Sequence, residues 1–305
     1  MERKLKFDLD IESNALLCPN PNEFYSRAYI SEDIVDNYRS LPGIKSATKL
    51  GNITFGNILQ ASTCNFSAPT DLLNAIDIDV CAVSAMAQIC QFDLEQSFVA
   101  LQMAQGSNAD FTVPAFMNYY WDTMSKQIGE DVELIRWQGD TASANATLAL
   151  CDGYLKKLAA DTDVINGGTG AVNQSNVLSK LQTAFAALPA AVQRKKADLR
   201  IFVAPNVAQA YEFAAASGNT MTYVTAPLAL TFLGVKVVVC EGMPNDTFVI
   251  TLKSNMIYAF DGEQDGKALK AVNLSDSVAE PYIRTRANLK IGFFYTNPTE
   301  IVLYA

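Results

Sequence analysis

The chain has 305 residues, of which 50% are hydrophobic and 18% are charged, and its formal net charge is −9. It contains no histidine, which excludes Ser-His-Asp and Cys-His nucleophile systems and histidine-containing zinc sites. The acidic balance argues against a dedicated DNA-binding protein, because affinity for phosphates comes from clustered Lys and Arg. A chain with this many hydrophobic residues must bury its apolar surface in a core or against partner subunits. We therefore expect an oligomer.

The first 43 residues are predicted to form an extended arm. Their apolar residues recur with only a weak period, which is interrupted by prolines and a glycine. Only Ser31–Tyr38 suits a short helix, which Ser31 can cap. Met1–Lys4 precede the alternating stretch Leu5–Asp10 rather than an apolar run, so we expect no secretory signal. The most apolar window, Ala226–Cys240, is too short to cross a bilayer, and no membrane association is expected.

The six cysteines are scattered and form no CxxC pair. In a cytosolic chain, such thiols are usually buried and reduced. We therefore expect no disulfides and no metal centre.

Residues 44–69 are rich in Thr, Asn, Gly and Ser, and they predict a long hairpin with strands near Ser46–Thr48 and Asn52–Leu59. This hairpin has too little apolar surface to be stable alone, so we expect it to lean on other protein. An alternating strand region begins at Asp77–Val80, and a helix is predicted at Leu94–Gln105.

The longest predicted helix begins at Pro114, a residue that suits the first helical position. Apolar residues then recur at helical spacing, and the pattern ends at Trp137–Asp140. Gly129 costs this helix about 1 kcal/mol and suggests a kink.

The second half alternates helices and strands. Asn166–Gly170 is predicted to be a flexible loop, since four of its five residues are Asn or Gly. Helices follow at Ser175–Leu188 and from Val207 to Gly218. Predicted strands occupy residues 199–203, 235–240, 247–252, 256–260, 283–291 and 301–303.

Three motifs suggest ligand chemistry, and each also fits a plain structural interpretation. Asp77 and Asp79 point the same way on a strand and suit a cation, but they equally suit a polar strand face. Asp261–Gly266 resembles a calcium loop but has Val272 at position twelve, where a bidentate Glu is expected. Gly167–Gly170 lacks the spacing of phosphate-binding glycines, which favours a mobile surface loop.

The order of elements resembles the Hong Kong 97 fold of tailed-bacteriophage major capsid proteins, over about residues 25–305. Ile135-Arg136-Trp137-Gln138-Gly139-Asp140 is similar to the end of that family's spine helix. The strand beginning at Gly234, followed by Gly242-Met243-Pro244, is similar to the stretch before the final sheet. The helix at 175–188, the strand at 199–204 and the helix ending near Ala216 resemble the core of the axial domain.

The resemblance implies an α+β fold with four parts. These would be an N-terminal arm at 1–43, an extended loop at 44–69, a peripheral domain with the spine helix at 70–140 and 266–305, and an axial domain at 141–265. Lys49, Thr54 and Phe55 of the extended loop and Gly167, Gly168 and Gly170 of an axial loop are implied as assembly residues.

The implied function is structural and not enzymatic, with no cofactor. Subunits would assemble as hexamers and pentamers into an icosahedral capsid around phage double-stranded DNA, bound non-specifically. Portal and scaffolding proteins would be further partners. The protein itself would lie in the host cytoplasm during assembly and in the virion capsid afterwards. An encapsulin-like nanocompartment shell, and a tail-tube or other virion protein, stay open as alternatives.

Overall fold

The computed structural model describes residues 36–54, 72–90, 114–217, 230–261, 269–274 and 279–305. The chain divides into two compact units. The described parts of unit 1 are 82–90, 114–129, 269–274 and 279–289, and those of unit 2 are 36–54, 72–81, 130–217, 230–261 and 290–305. The predicted helix at Leu94–Gln105 and most of Ser31–Tyr38 and Asp261–Gly266 lie outside these ranges.

The described residues form five α-helices: α1 (Pro114–Gln138), α2 (Tyr154–Ala160), α3 (Val177–Ala187), α4 (Ala190–Gln193) and α5 (Pro205–Ser217). Helix α1 begins at Pro114 as predicted and is helical without interruption through Gly129. It ends before Gly139, a position that requires glycine because a side chain there would overlap the backbone at Cys151 and Gly153. No described helix is both long and apolar enough to cross a membrane.

Thirteen strands are described: β1 (Arg39–Pro42), β2 (Thr48–Thr54), β3 (Leu72–Ile78), β4 (Cys81–Cys90), β5 (Ile165–Gly168), β6 (Leu199–Val203), β7 (Thr231–Phe232), β8 (Val235–Val239), β9 (Phe248–Leu252), β10 (Met256–Phe260), β11 (Leu269–Asn273), β12 (Tyr282–Tyr295) and β13 (Val302–Tyr304). Strands β6, β8, β9 and β10 confirm the predicted strands of the second half. Strand β12 is longer than the alternation at 283–291 predicted.

A six-stranded sheet in unit 2 has the order β5-β13-β9-β6-β8-β7. Strand β6 pairs parallel with β8 and antiparallel with β9. All five residues of β9 are buried, so its continuous apolar run fits a central strand covered on both faces. Helix α3 contacts β5, β13 and α5.

Strand β12 contributes residues to both units. In unit 2, β10 pairs antiparallel with residues 291–295 of β12 and parallel with β1. In unit 1, β11 pairs antiparallel with residues 283–287 of β12, and β4 also pairs with β12. In β12 and β4, exposed residues alternate with more buried ones, as expected for strands with one solvated face.

The core of unit 2 centres on aromatic side chains around the end of α1. Trp137 lies 5.4 Å from Tyr154 and 5.6 Å from Phe202 between ring centroids. Tyr258 stacks on Phe293 at 5.6 Å. These rings are essentially inaccessible to solvent, which explains why the Arg136-Trp137 stretch is fixed at the centre of the unit.

The structure contains one disulfide among the described cysteines, between Cys81 and Cys151, whose Cα atoms are 5.8 Å apart. The expectation that all cysteines are reduced is wrong for this pair. The two residues are 70 apart in sequence, and only folding brings the start of β4 to the turn after α1. Cys90 and Cys240 are free thiols.

Candidate assembly surfaces

The β2–β3 hairpin belongs to unit 2 and exposes most of its described side chains. Thr48 pairs with Ile78 and Thr54 pairs with Leu72, so the second strand lies beyond residue 69. The prediction of two strands within 44–69 was therefore wrong: Thr48 and Asn52–Thr54 belong to the single strand β2, whose pairing partner is Leu72–Ile78. Phe55 lies just outside the described residues.

Lys49 of the hairpin faces Asp77 across the two strands, with 3.5 Å between Nζ and Oδ1. Their side chains are 76% and 75% exposed, respectively. Such a solvated pair contributes at most about 1 kcal/mol. Lys49 thus occupies the Asp77 carboxylate, and Asp79 lies beyond the end of β3, so the two aspartates do not share a strand face as the cation site requires.

Among its described side chains, the hairpin contacts the core of unit 2 at its base. Ile78 is 1% exposed and packs with Ile257, Ala259 and Phe294. Half-buried Leu50 contacts the same cluster. Further along, Gly51 and Ala75 are exposed, so the described part of the hairpin has no core of its own beyond this base.

The glycines at 167–170 do not form the predicted mobile loop. Gly167 and Gly168 belong to β5, and Gly168 pairs with Tyr304 of β13. A Cβ at Gly167 would lie 2.8 Å from the Val302 Cγ1 atom, so glycine is required by the close approach of β13. A strand of the six-stranded sheet, not a flexible tip, occupies most of this segment.

Gly170 follows the strand with φ +102° and open space around it. The Tyr304 hydroxyl lies 2.8 Å from the Gly170 carbonyl oxygen and 2.7 Å from that of Thr169. Lys180 of α3 donates from Nζ to the Gly170 carbonyl at 3.0 Å and lies 5.0 Å from the Tyr304 ring centroid. The turn is therefore held by a buried tyrosine and a lysine.

The most perturbed titratable groups of unit 2 lie in its core. Arg136 is 3% exposed, forms an ion pair with Glu133, and lies 5.2 Å from the Tyr38 ring and 5.1 Å from the Tyr258 ring. Desolvation opposes its charge, but Glu133 and the surrounding tyrosines raise the pKa of Arg136 above its usual value. Burial raises the pKa of Tyr258 in turn.

Lys157 of α2 is a functional candidate that sequence reasoning missed. Its Nζ donates to the Phe293 carbonyl oxygen at 2.6 Å and lies 3.9 Å from the Phe294 ring centroid. Burial lowers the pKa of Lys157 to about 8. An amine next to a run of apolar residues gives no sequence signal, because its burial depends on β12 from the far end of the chain.

These buried groups do not converge on a cleft with a nucleophile and a base. Burial raises the pKa of the Cys240 thiol well above its usual range, which disfavours the reactive thiolate. Within the described ranges, no three His, Cys, Asp or Glu residues are placed to hold a metal ion. The described features that suit assembly are surfaces: the exposed hairpin and the solvated faces of sheets and helices.

Gly242-Met243-Pro244, part of the stretch that carried the resemblance, packs against the last turns of α1. A side chain at Gly242 would overlap the Glu133 carbonyl group. Gln138 donates from Nε2 to the Gly242 carbonyl oxygen at 2.7 Å. Glycine is therefore required here by the close approach of α1.

Among known proteins, only solved structures match this chain, and no sequence-based comparison does. No family model matches the chain, and no curated protein matches it. Among solved structures, the chain is similar to the satellite phage P4 procapsid including its size determination protein, with a TM-score of 0.56 and 12% identity over 93% of this chain and 96% of that one.

Two further solved structures of particle shells are similar to this chain. The capsid of an empty GTA particle has a TM-score of 0.56 and 14% identity, covering 89% of this chain and 88% of that one. The virus-like particle from Pyrococcus furiosus has a TM-score of 0.52 and 9% identity, covering 92% and 96%. The chain therefore has a mixed α+β fold that is similar to the fold in these capsid and virus-like-particle structures.

Proposed function

We propose that the chain is the subunit of a self-assembling icosahedral shell and acts structurally rather than as an enzyme. The observation that carries this proposal is the hairpin, whose described side chains pack on the subunit at its base, through Ile78 and Leu50, and are otherwise exposed. Strands of this kind gain stability when a neighbouring subunit covers them. The likeness to capsid structures supports the same role.

In the proposed shell, the parts follow the Hong Kong 97 arrangement. Residues 1–43 act as the arm, 44–69 as the extended loop, 70–140 and 266–305 as the peripheral domain, and 141–265 as the axial domain. Subunits form hexamers and pentamers around double-stranded DNA, and portal and scaffolding proteins complete the particle. The net charge of −9 restricts DNA contacts to few and non-specific ones.

Expression of the full chain, alone and with its candidate scaffold, tests the proposal by negative-stain electron microscopy and sedimentation. We expect capsomers or closed shells. The variant Ile76→Asp alters a half-buried residue of β3 and should reduce assembly while leaving circular dichroism unchanged. The matched variant Leu150→Asp changes an apolar residue that is 44% exposed elsewhere in unit 2 and should assemble. A monomer that never assembles under any condition contradicts the proposal.

A shell other than a phage capsid, such as an encapsulin-like nanocompartment, is the second candidate, because the likeness extends to a virus-like particle from Pyrococcus furiosus. The two candidates differ in contents. Particles purified from cells and treated with nuclease should retain protected double-stranded DNA if the shell is a phage capsid. A stoichiometric protein cargo without nucleic acid would instead support the nanocompartment.

A further inference from the structure

One face of the unit 1 sheet exposes a row of cations beside a row containing apolar side chains. Arg284 and Arg286 project from β12, and both are exposed. Lys270, Val272 and Leu274 follow the same alternation on and after β11, where Val272 is 36% exposed. The adjacent strand β4 adds Met86, which is 73% exposed.

These side chains enclose a groove of about 510 Å³. Its lining comes from all three strands of the unit 1 sheet: Met86, Ala87, Gln88, Lys270, Val272, Leu274, Arg284, Thr285 and Arg286. An exposed methionine in a groove is typical of surfaces that bind peptide segments, because its flexible thioether adapts to the partner. The groove therefore has the size and composition of a site for a short extended segment.

The groove carries excess positive charge in a chain that is acidic overall. Arg284 has an ion pair with Glu280 at 3.5 Å. Arg286 donates to neutral Asn288 and Ser84. Within the described ranges, no carboxylate lies within ion-pair distance of Lys270 or Arg286. An anionic partner would supply the missing carboxylates.

The spacing of the cations specifies the shape of that partner. Residues two apart on a strand are separated by about 6.8 Å and point the same way. An extended segment with carboxylates at every second position matches Arg284 and Arg286 in register. If the segment lies edge-on between β12 and β11, its carboxylate row points towards Arg284 and Arg286, and its opposite row points towards Val272 and Leu274 on and after β11.

The sequence contains such a segment outside the described residues. In Phe7–Glu12, carboxylates occupy positions 8, 10 and 12 and apolar side chains occupy positions 7, 9 and 11. The tether from Glu12 to Asp36 can extend to about 80 Å, so its length does not limit docking. A segment of the same chain also acts at an effective concentration of about millimolar, above the concentration of a second copy in solution.

We propose that Phe7–Glu12 binds lengthwise in the groove of its own chain, with its carboxylates against Arg284 and Arg286. Its apolar row covers Val272 and Leu274. The unassembled subunit thereby hides a basic, apolar surface that would otherwise associate non-specifically. Because the contact is largely between exposed charges, it weakens as the salt concentration rises.

Disulfide trapping in the full-length, unassembled subunit tests the proposal. The paired variant Leu9→Cys/Val272→Cys is treated with a mild oxidant and analysed by non-reducing electrophoresis and by mass spectrometry of the linked peptides. We expect a link between positions 9 and 272 in the monomer band. The yield should fall at least tenfold in 1 M salt or when Arg284→Glu/Arg286→Glu is added.

A charge-swapped variant shows whether misfolding causes the loss of the link in Arg284→Glu/Arg286→Glu. Adding Asp8→Arg/Asp10→Arg to the groove-reversed variant should restore the link, with circular dichroism unchanged throughout. The control pair Leu9→Cys/Val239→Cys places the second thiol at a residue that is 42% exposed in unit 2 and should not link. Links found only between chains, links to Val239→Cys as efficient as to Val272→Cys, or no charge-dependent link would each overturn the proposal.

Discussion

Replacing Lys157 by Met should remove a distinct part of the pH dependence of stability. Burial lowers the pKa of Lys157 from the ordinary 10.5 to about 8, so the unfolded chain binds more protons than the folded chain between these values. The wild-type subunit therefore becomes more stable as pH rises through this window. The difference corresponds to about 3 kcal/mol in total, and about 2.5 kcal/mol of it develops between pH 7 and 10.

Near pH 7, the substitution has two opposing effects. It removes the desolvation penalty of the ammonium group, but it also loses the bond to the Phe293 carbonyl and the contact with the Phe294 ring, together worth about 1–3 kcal/mol. The methionine fills much of the space of the lysine stem. The net change at pH 7 is therefore small, and the informative quantity is the difference between the two proteins as pH changes.

Urea unfolding of the unassembled subunit from pH 7 to 10 measures this difference. The free energy of unfolding of the wild type relative to Lys157→Met should rise by about 2–3 kcal/mol over that range. Lys180→Met is the matched control, because Lys180 also binds backbone carbonyls and lies over a ring but remains more exposed. Parallel stability curves for the wild type and Lys157→Met would refute the reasoning.

Three further substitutions test the packing of unit 2, each by urea unfolding. Cys81→Ser should lower stability by about 2–4 kcal/mol without reductant and have little effect with it, since the disulfide closes a 70-residue loop; the free thiol Cys90 serves as the control in Cys90→Ser. Gly242→Ala should cost about 1–3 kcal/mol because its Cβ meets the α1 backbone, whereas Gly170→Ala should cost about 1 kcal/mol from its positive φ alone. Arg136→Met should cost at least about 3 kcal/mol, because it leaves the carboxylate partner without its cation; equal stability to wild type would show that the pair is dispensable.

The elements predicted well from sequence are those whose own residues carry a strong period. Helix α1 has its first residue at Pro114 and a helical repeat of apolar residues, and β12 has strict alternation over most of its length. Strand β6 follows a clear boundary at a basic run. In these cases the local pattern and the burial in the fold agree, so local reasoning suffices.

Elements that depend on distant partners could not be predicted in this way. Gly167 and Gly168 are typical of a loop when considered alone, and they form a strand because β13 supplies the pairing partner. The partner of β2 lies beyond residue 69, and the disulfide joins Cys81 to Cys151 across 70 residues. No local pattern encodes either pairing.

The candidate surfaces were only partly accessible to sequence reasoning. The exposed hairpin was predicted from its few apolar residues, and the structure places Lys49 on it as an exposed side chain. The groove over β12 was missed, because its cations and apolar residues come from three strands that are far apart in the chain. Only the sheet brings Met86, Val272 and Arg284 together.

The disulfide also has a mechanical consequence. The chain leaves unit 2 after Cys81 and again after Asp261, and it returns before Cys151 and at Lys290. The bond between Cys81 and Cys151 joins the last residue before the first departure to the turn after α1, and the Asp261 N–H donates to the Lys290 carbonyl at 3.3 Å, where it continues the pairing of β10 with β12. Tension on the first excursion is therefore carried in part by a covalent link, which a reductant can cut, whereas tension on the second acts directly on the hydrogen bonds between β10 and β12.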